Sequence, residues 1–419
     1  MFDQHDHRYL GQRLDLFHFQ EEAPGMVFWH PRGFLLYQVL ENQLRQLVRD
    51  QGYHEVRTPQ VLSQRIWESS GHWQSFREEM LVVNDGDRAF ALKPVSCPGH
   101  IEIVRRMAPS YRDLPIRLAE FGLVHRNERS GSLHGLFRLR QFSQDDGHVF
   151  CSEDQIDDEI DRFCRSLRAF YAELGFADLD VSFSGRPNQS EGVDSLWERA
   201  EKVLEAAALK SGLDFHPQPG QGAFYGPKLD FSLKDRLGRL WQCGTIQLDY
   251  VLPERFDIHY VGSGGDRRKP VVLHRALFGS LERFIGILLE HYRGALPAWL
   301  APEQVLLAPV GSADGYAESV LQRLSAANLR ARIDCQPDSL ARKVVEAYEQ
   351  GIPFVVVVGP RERAAGSVRI RERSGRQRES PLNAAIEELV VVCFESVTPS
   401  TAARRVRVTA DARSNRSGP

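Results

Sequence analysis

The chain has 419 residues, 42% of them hydrophobic and 26% charged, with a formal net charge of −3. That balance allows two or three globular domains and excludes a protein coated in basic charge, while leaving room for a local patch that meets nucleic acid. Six cysteines with no CxxC pair exclude a disulfide framework, no apolar run is long enough to cross a membrane, and the polar N-terminus carries no secretory leader, so a cytoplasmic location without a membrane partner is expected.

Residues 33–50 carry apolar side chains at helical spacing, and Gly52 ends that helix. His54 to Pro59 reads as an extended stretch stopped by a proline. Residues 116–126 and 136–143 read as strands around a polar, glycine-containing loop at 127–135. An amphipathic helix that opens on Ser152-Glu153-Asp154 covers 153–174, and another covers 195–211. Short strands alternate with turns over 223–233 and 240–251, and a helix at 277–293 follows the apolar strand 271–274. The expected fold class is α+β, an antiparallel sheet with helices around it. A Pro-rich linker lies at 296–302. Beyond it, strands at 305–309, 331–334 and 354–358 alternate with helices at 315–327 and 339–350. The expected division is therefore 1–300, a small α/β domain at 301–396, and a disordered tail at 397–419 that lacks a core pattern.

Three residues stand out within this frame. Cys97 lies in KPVSCPGH (93–100), His148 closes QDDGH (144–148), and His274 ends the strand VVLH (271–274). One thiolate and two imidazoles can hold one zinc ion and leave a fourth position open for substrate. Their spacing is too long for a zinc finger, so only the fold can bring them together. A second constellation is basic. Arg126 and Arg138, on the two arms of a hairpin, can clamp phosphate oxygens. Glu128 can accept from an adenine amino group, and Phe142 can stack on the base. Gly279-Ser280 opens a helix that delivers Arg283, and a helix N-terminus suits an anion.

Taken together these segments resemble the three signature motifs of class II aminoacyl-tRNA synthetases. They resemble the threonyl-tRNA synthetase family most narrowly, through HRNERSGSLHG (125–135), QDDGHVF (144–150), KPVSCPGH (93–100), GAFYGPKLDF (222–231), QCGTIQLDY (242–250) and HRALFGSLERFIGIL (274–288). The resemblance is close over about residues 6–300 and looser over 301–395. It implies a class II catalytic domain followed by an anticodon-binding domain. It also implies ATP-dependent activation of L-threonine, with Mg2+ accompanying ATP, and transfer to threonine tRNA. Cys97, His148 and His274 would bind one zinc per chain, and Gln144, Asp146, Tyr225, Gln242 and Gln247 would line the threonine pocket. Arg126, Glu128, Arg138, Phe142 and Arg283 would take ATP, Lys228 would approach the α-phosphate or carboxylate, and His72 would be the base of the transfer step. The motif at 33–59 would lie at a homodimer interface.

The chain also departs from the family's pattern. It begins at the catalytic core, so no editing in cis is expected. In the C-terminal domain, Glu362 and Arg371 match positions that contact tRNA, within a run of arginines at 361, 363, 369, 371, 373, 376 and 378. Gly265 and Pro337 stand where asparagines are usual, and Arg129 replaces a proline. The departures leave two further readings open: a specialised paralogue (an antibiotic-resistance copy, or a threonine activator in a biosynthetic pathway) and a non-catalytic regulatory binding module.

Overall fold

In the computed structural model, residues 3–176, 178–235, 238–311 and 314–394 are described; the expected tail at 397–419 lies outside them. The chain forms two compact units, neither continuous in sequence. One holds 19–27 and 41–287. The other holds 3–18, 28–40 and the described residues from 288 onward. This division differs from a single cut near 300. One reason is the N-terminal helix His7–Arg13, whose buried His7 Nδ1 lies 2.8 Å from Glu290 Oε1, 283 residues away. No local pattern announces such a contact. Among the described residues no helix is long and apolar enough to cross a membrane.

The larger unit is built on an eight-stranded sheet. Its strand order is His216–Gln218, Asp180–Ser184, Lys228–Lys234, Leu240–Asp249, Val271–Ala276, Gln141–Cys151, Ile116–His125 and His54–Glu55. Pairing is antiparallel except at the two edges, where His54 meets Leu118 and His216 meets Ser182 in parallel. The centre is thus the antiparallel sheet expected. Because side chains alternate along a strand, Gln144, Asp146 and His148 share one face of Gln141–Cys151. His274 sits opposite His148 in register, and Gln247 opposite His274.

Several boundaries differ from the sequence reading, each for a visible reason. The return strand starts at Gln141 rather than 136, because Arg140 N donates to Gly25 O and Phe137 N to His134 O. The extended stretch after Gly52 keeps only two ladder residues, since Thr58 N donates to the Glu120 carboxylate instead. The helix expected from 277 begins at Leu281. The N–H groups of Leu277, Phe278 and Gly279 are drawn to the Asp145 carboxylate at 2.6, 3.1 and 3.0 Å, and Gly279 adopts φ +71°, which its missing Cβ permits. Two features went unread. One is an antiparallel three-stranded sheet of Val61–Ser63, Arg88–Leu92 and Val82–Asp85. The other is the helix Cys97–Met107, disguised by Pro98-Gly99 although proline is tolerated in a first turn.

The C-terminal unit carries a five-stranded sheet in the order Ala331–Ile333, Val305–Pro309, Phe354–Val358, Ser367–Glu372 and Gln377–Pro381. Its first three strands are parallel and crossed by helices Asp314–Ala326 and Leu340–Glu349, as the strand–helix alternation predicts. The last two strands are antiparallel and lead into helix Leu382–Phe394. The two strands were obscured by the arginines they carry, Arg369, Arg371 and Arg378, and the helix, which carries none, went unread.

Candidate active site

The larger unit encloses a cavity of about 470 Å³, a size suited to a small-molecule ligand. Every site residue expected in the catalytic region lines it: His72, Cys97, Arg126, Glu128, Arg138, Phe142, Gln144, Asp146, His148, Tyr225, Lys228, Gln242, Gln247, His274 and Arg283.

One corner gathers Cys97, His148 and His274, all buried, with their ligand atoms within 4.8 Å of one another. Cys97 opens a helix, and the two histidines face each other across neighbouring strands with His148 Nε2 and His274 Nδ1 2.9 Å apart. Asp249 accepts the Val251 and Leu252 N–H groups on Oδ1, while its Oδ2 lies 2.8 Å from His274 Nε2. A carboxylate only accepts, so His274 carries its proton on Nε2 and turns a bare Nδ1 into the corner. His148 Nδ1 has its own partner, His100 Nδ1, at 2.8 Å. A soft thiol and two imidazoles, each imidazole tied by its second nitrogen to a fixed partner, are a donor set that fits zinc. Burial pushes the Cys97 thiol up, helped by Asp146 and Asp249, and burial holds His148 well down, helped by His274, His100 and Arg275. A bound dication reverses the first of these effects and is compatible with the second.

Beside this corner are acceptors. Asp146 Oδ2 takes the Ser96 N–H at 3.1 Å, and its Oδ1 lies 3.8 Å from His148 Nε2. Gln144 Oε1 is buried without a hydrogen-bond partner, a state that costs about 1–3 kcal/mol until something donates to it. Tyr225 stacks on His274 with ring centres 4.7 Å apart and donates to Gln247 Oε1 at 2.6 Å. Lys228 and Gln242 share one anchor. Asp230 Oδ2 pairs with Lys228 Nζ at 2.9 Å, and Asp230 Oδ1 accepts from Gln242 Nε2 at 2.5 Å.

The other end of the cavity is cationic. Arg126 donates from Nε to Pro94 O at 3.3 Å and lies 5.1 Å over the Phe142 ring, so one face of that ring is already in use. Arg138 Nε donates to Glu128 Oε2 at 2.9 Å. Arg283 is braced by two carbonyls, Phe137 O at 2.9 Å and Gln242 O at 2.7 Å. Neither brace is an anion, so the Arg283 charge is held in place without being neutralised.

His72 begins the short helix His72–Ser75 and is 2% exposed. Its ring does not stack on its neighbour Trp73. It meets Trp67 and Phe224 edge-on, and Trp73 instead carries Arg77. Ser70 Oγ donates to Trp67 O and so receives its bond from His72 Nδ1, which leaves Nε2 bare, 3.9 Å from Cys97 Sγ. Burial first, then His274, Arg126 and Arg255, bring the imidazole down to about 3, keeping it neutral.

Residues 76–292 match the tRNA synthetase class II core domain (G, H, P, S and T), and residues 304–391 match an anticodon binding domain. The threonine–tRNA ligase of Cupriavidus necator is 50% identical over 389 residues, covering 92% of this chain and 61% of that protein. The Rickettsia akari threonine–tRNA ligase is 47% identical over 394 residues, 94% of this chain and 62% of that protein. The crystal structure of the RNA binding domain of threonyl-tRNA synthetase from Cryptosporidium parvum superposes with a TM-score of 0.90 at 39% identity, covering 93% of this chain and 99% of that one. This chain belongs to the threonyl-tRNA synthetase family. It spans about 61% of the length of the curated relatives it matches.

The C-terminal unit carries the arginine run at 361–378. The arginine run does not form a single face. Arg369 and Arg371 project from one side of Ser367–Glu372, whereas Arg378, cross-strand from Ile370, turns to the opposite side and pairs with Glu372 and Glu388. Arg369 lies 3.4 Å from Glu362 and 3.7 Å from Glu379, and Arg373 donates to Tyr348 O at 2.9 Å. Glu362 is itself buried. Gly265, at φ +82°, sits in the exposed turn between Tyr260–Val261 and Arg267–Arg268, Pro337 is exposed before helix Leu340–Glu349, and Arg129 is exposed in the hairpin loop.

Sequence reasoning missed the residues that hold the cavity's own groups: Lys93, His100, Glu120, Asp145, Asp230 and Asp249. Most stood inside or beside the motifs already singled out. Asp230 is two residues from Lys228 on a strand, hence on the same face, a signal available from period 2 alone.

Proposed function

We propose that this chain activates L-threonine with ATP and Mg2+ to give threonyl-adenylate and transfers the threonyl group to threonine tRNA. The observation that carries this reading is the convergence on one cavity of a sulfur–nitrogen–nitrogen donor corner, an unsatisfied Gln144 acceptor and two braced arginines. Zinc held by Cys97, His148 and His274 would supply a Lewis-acidic position for the amino and hydroxyl groups of threonine, so that valine leaves it unsatisfied, the kind of difference that discriminates strongly.

The rest is work for the chain's own side chains. Asp146 and Gln144 accept hydrogen bonds from the amino group. The threonine carboxylate attacks the ATP α-phosphate and pyrophosphate leaves. Arg126 and Arg283 meet the charge that develops on phosphorus, an electrostatic role that needs no covalent step by the protein. Lys228 reaches the same centre by exchanging Asp230 for the substrate anion. Glu128, already bonded to Arg138, accepts from the adenine amino group. In the second step a ribose hydroxyl of the terminal adenosine attacks the adenylate carbonyl, AMP leaves, and the bare Nε2 of His72 is the nearby base. Glu362 and Arg371 belong to the tRNA contact of the other unit.

We infer a homodimer as the working form. It is supported by helix Pro31–Asp50, whose Phe34 is 47% exposed and whose Leu35, Val39 and Leu47 are half-buried. Threonine-dependent exchange of pyrophosphate into ATP tests the activation step, and charging of threonine tRNA tests the transfer. Absence of exchange with zinc-loaded protein would sink the reading in favour of a binding module.

A further inference from the structure

Zinc affinity at a Cys–His–His corner depends on which nitrogen of each imidazole carries the proton. Asp249 decides this for His274. The hydrogen bonds around His148 decide it from the other side. Resting on the zinc reading above, we propose that Glu120 and His100 form a positioning relay that keeps the proton of His148 on Nδ1 and thereby sets how tightly Cys97, His148 and His274 hold zinc.

The relay is assembled by two elements. Helix Cys97–Met107 delivers the ligand Cys97 and, three residues on, His100; residues at that spacing share a helix face. Strand Ile116–His125 lies next to the His148 strand, with Leu118 opposite His148 and Glu120 opposite Asp146, so Glu120 and His148 project from the same face. His100 bridges them. Its Nε2 is 3.2 Å from Glu120 Oε2, and its Nδ1 is 2.8 Å from His148 Nδ1.

The direction of these bonds follows from their fixed end. Glu120 is 3% exposed and receives Thr58 N at 3.0 Å, Thr58 Oγ1 at 2.8 Å and Lys93 Nζ at 2.8 Å. It has only acceptors to offer, so His100 donates to it from Nε2. His100 Nδ1 is then bare and accepts, so His148 donates from Nδ1, and His148 Nε2 is bare. The result is two bare nitrogens, His148 Nε2 and His274 Nδ1, facing each other at 2.9 Å in a buried corner beside a thiol. Lone pairs at that distance repel, and a cation bound by both relieves the repulsion. Neither His100 nor Glu120 touches the metal position. Their role is to orient, as partners behind metal-binding histidines do, where substitution weakens binding by roughly 10- to 100-fold.

The test measures zinc affinity of the full chain by competition with a chelating indicator. His100→Leu removes the acceptor and should weaken zinc about 10- to 100-fold. His100→Asn places an amide oxygen near the lost Nδ1 and should recover most of that loss. Equal affinities for the wild type and His100→Leu overturn the relay while leaving the zinc site standing. A loss in His100→Leu without recovery in a folded His100→Asn assigns the effect to packing and also overturns it. If the wild type binds no zinc at all, the metal reading and the relay fall together. Should His100→Leu not fold, imidazole 15N shifts in the wild type decide: a bare Nδ1 on His100 is expected, and a protonated one overturns the proposal.

Discussion

The corner around Cys97 and the arginine-bearing strand Ser367–Glu372 use polar groups in opposite ways. At the corner each imidazole is bonded through one nitrogen, and the other is left over, pointing at a shared position. On the strand and its neighbour the charges are mostly spent at home: Arg369 on Glu362 and Glu379, Arg378 on Glu372 and Glu388. Both regions look chemically loaded in sequence. The difference lies in the bonding capacity that remains after folding, and that remainder marks a ligand site better than a density of charged letters.

The sharpest way to break this comparison is to remove a donor that is left over. Cys97→Ala should lose zinc and threonine-dependent pyrophosphate exchange together, by more than the roughly 100-fold expected for a partner behind a ligand; metal analysis beside the exchange assay checks it, and full activity without metal would break the contrast. Next in size is Arg283, braced but not neutralised. Arg283→Ala should lower kcat/KM for ATP by about 10²–10³-fold, the usual loss for one group that stabilises transition-state charge, whereas an arginine already spent on a carboxylate would cost far less. Steady-state exchange kinetics separate the two.

Buried capacity also has a pH signature. Glu282 accepts from Ser143 N and Ser280 Oγ, yet burial raises its carboxyl from 4.5 to about 7. Its folded pKa lies above the unfolded one, so the folded state binds the extra proton between those values. Stability should therefore fall as pH rises from about 4.5 to about 7, by about 3 kcal/mol at 1.36 kcal/mol per unit. Denaturant unfolding across that range, with Glu282→Gln flattening the slope, checks the sign.

Discrimination at the corner should show a smaller effect. Serine offers the same amino and hydroxyl groups as threonine and lacks one methyl, so its activation should trail by about 1–3 kcal/mol, with valine rejected much more strongly. Comparable rejection of serine and valine would mean that the hydroxyl is not what the corner reads. The smallest effects should come from the strand. Arg371, half-buried and without an ion pair among the described residues, should weaken tRNA binding on replacement by alanine and lower the salt slope by about one. Arg378→Ala should leave tRNA binding unchanged and cost only about 1 kcal/mol of stability. Filter binding at several salt concentrations compares them.

Much of the site was legible because its donors sit in dense local motifs: Cys97, His148, His274, Arg126 and Arg283 were all named from their neighbours in the chain. Some elements were legible too, since helix Ile156–Glu173 keeps one amphipathic period throughout and strand Phe354–Val358 is an unbroken apolar run. What escaped were elements whose pattern is overridden from elsewhere. The turn before Leu281 exists because Asp145, 132 residues from Leu277, collects its N–H groups. The strand Ser367–Glu372 was masked by its two arginines, of which Arg369 is neutralised by Glu362 and Glu379.

The amino-acid sequence by itself determined which chemical groups this chain possesses: a thiol, paired imidazoles, clamping arginines and the amphipathic stretches that carry them. Only the tertiary structure decided what those groups have left to give. His148 and His274 lie 126 residues apart, and their free nitrogens are chosen by Glu120 through His100 and by Asp249. The physical reason is that a residue's identity sets its total bonding capacity, whereas its unmet capacity depends on partners that the fold brings from distant parts of the chain.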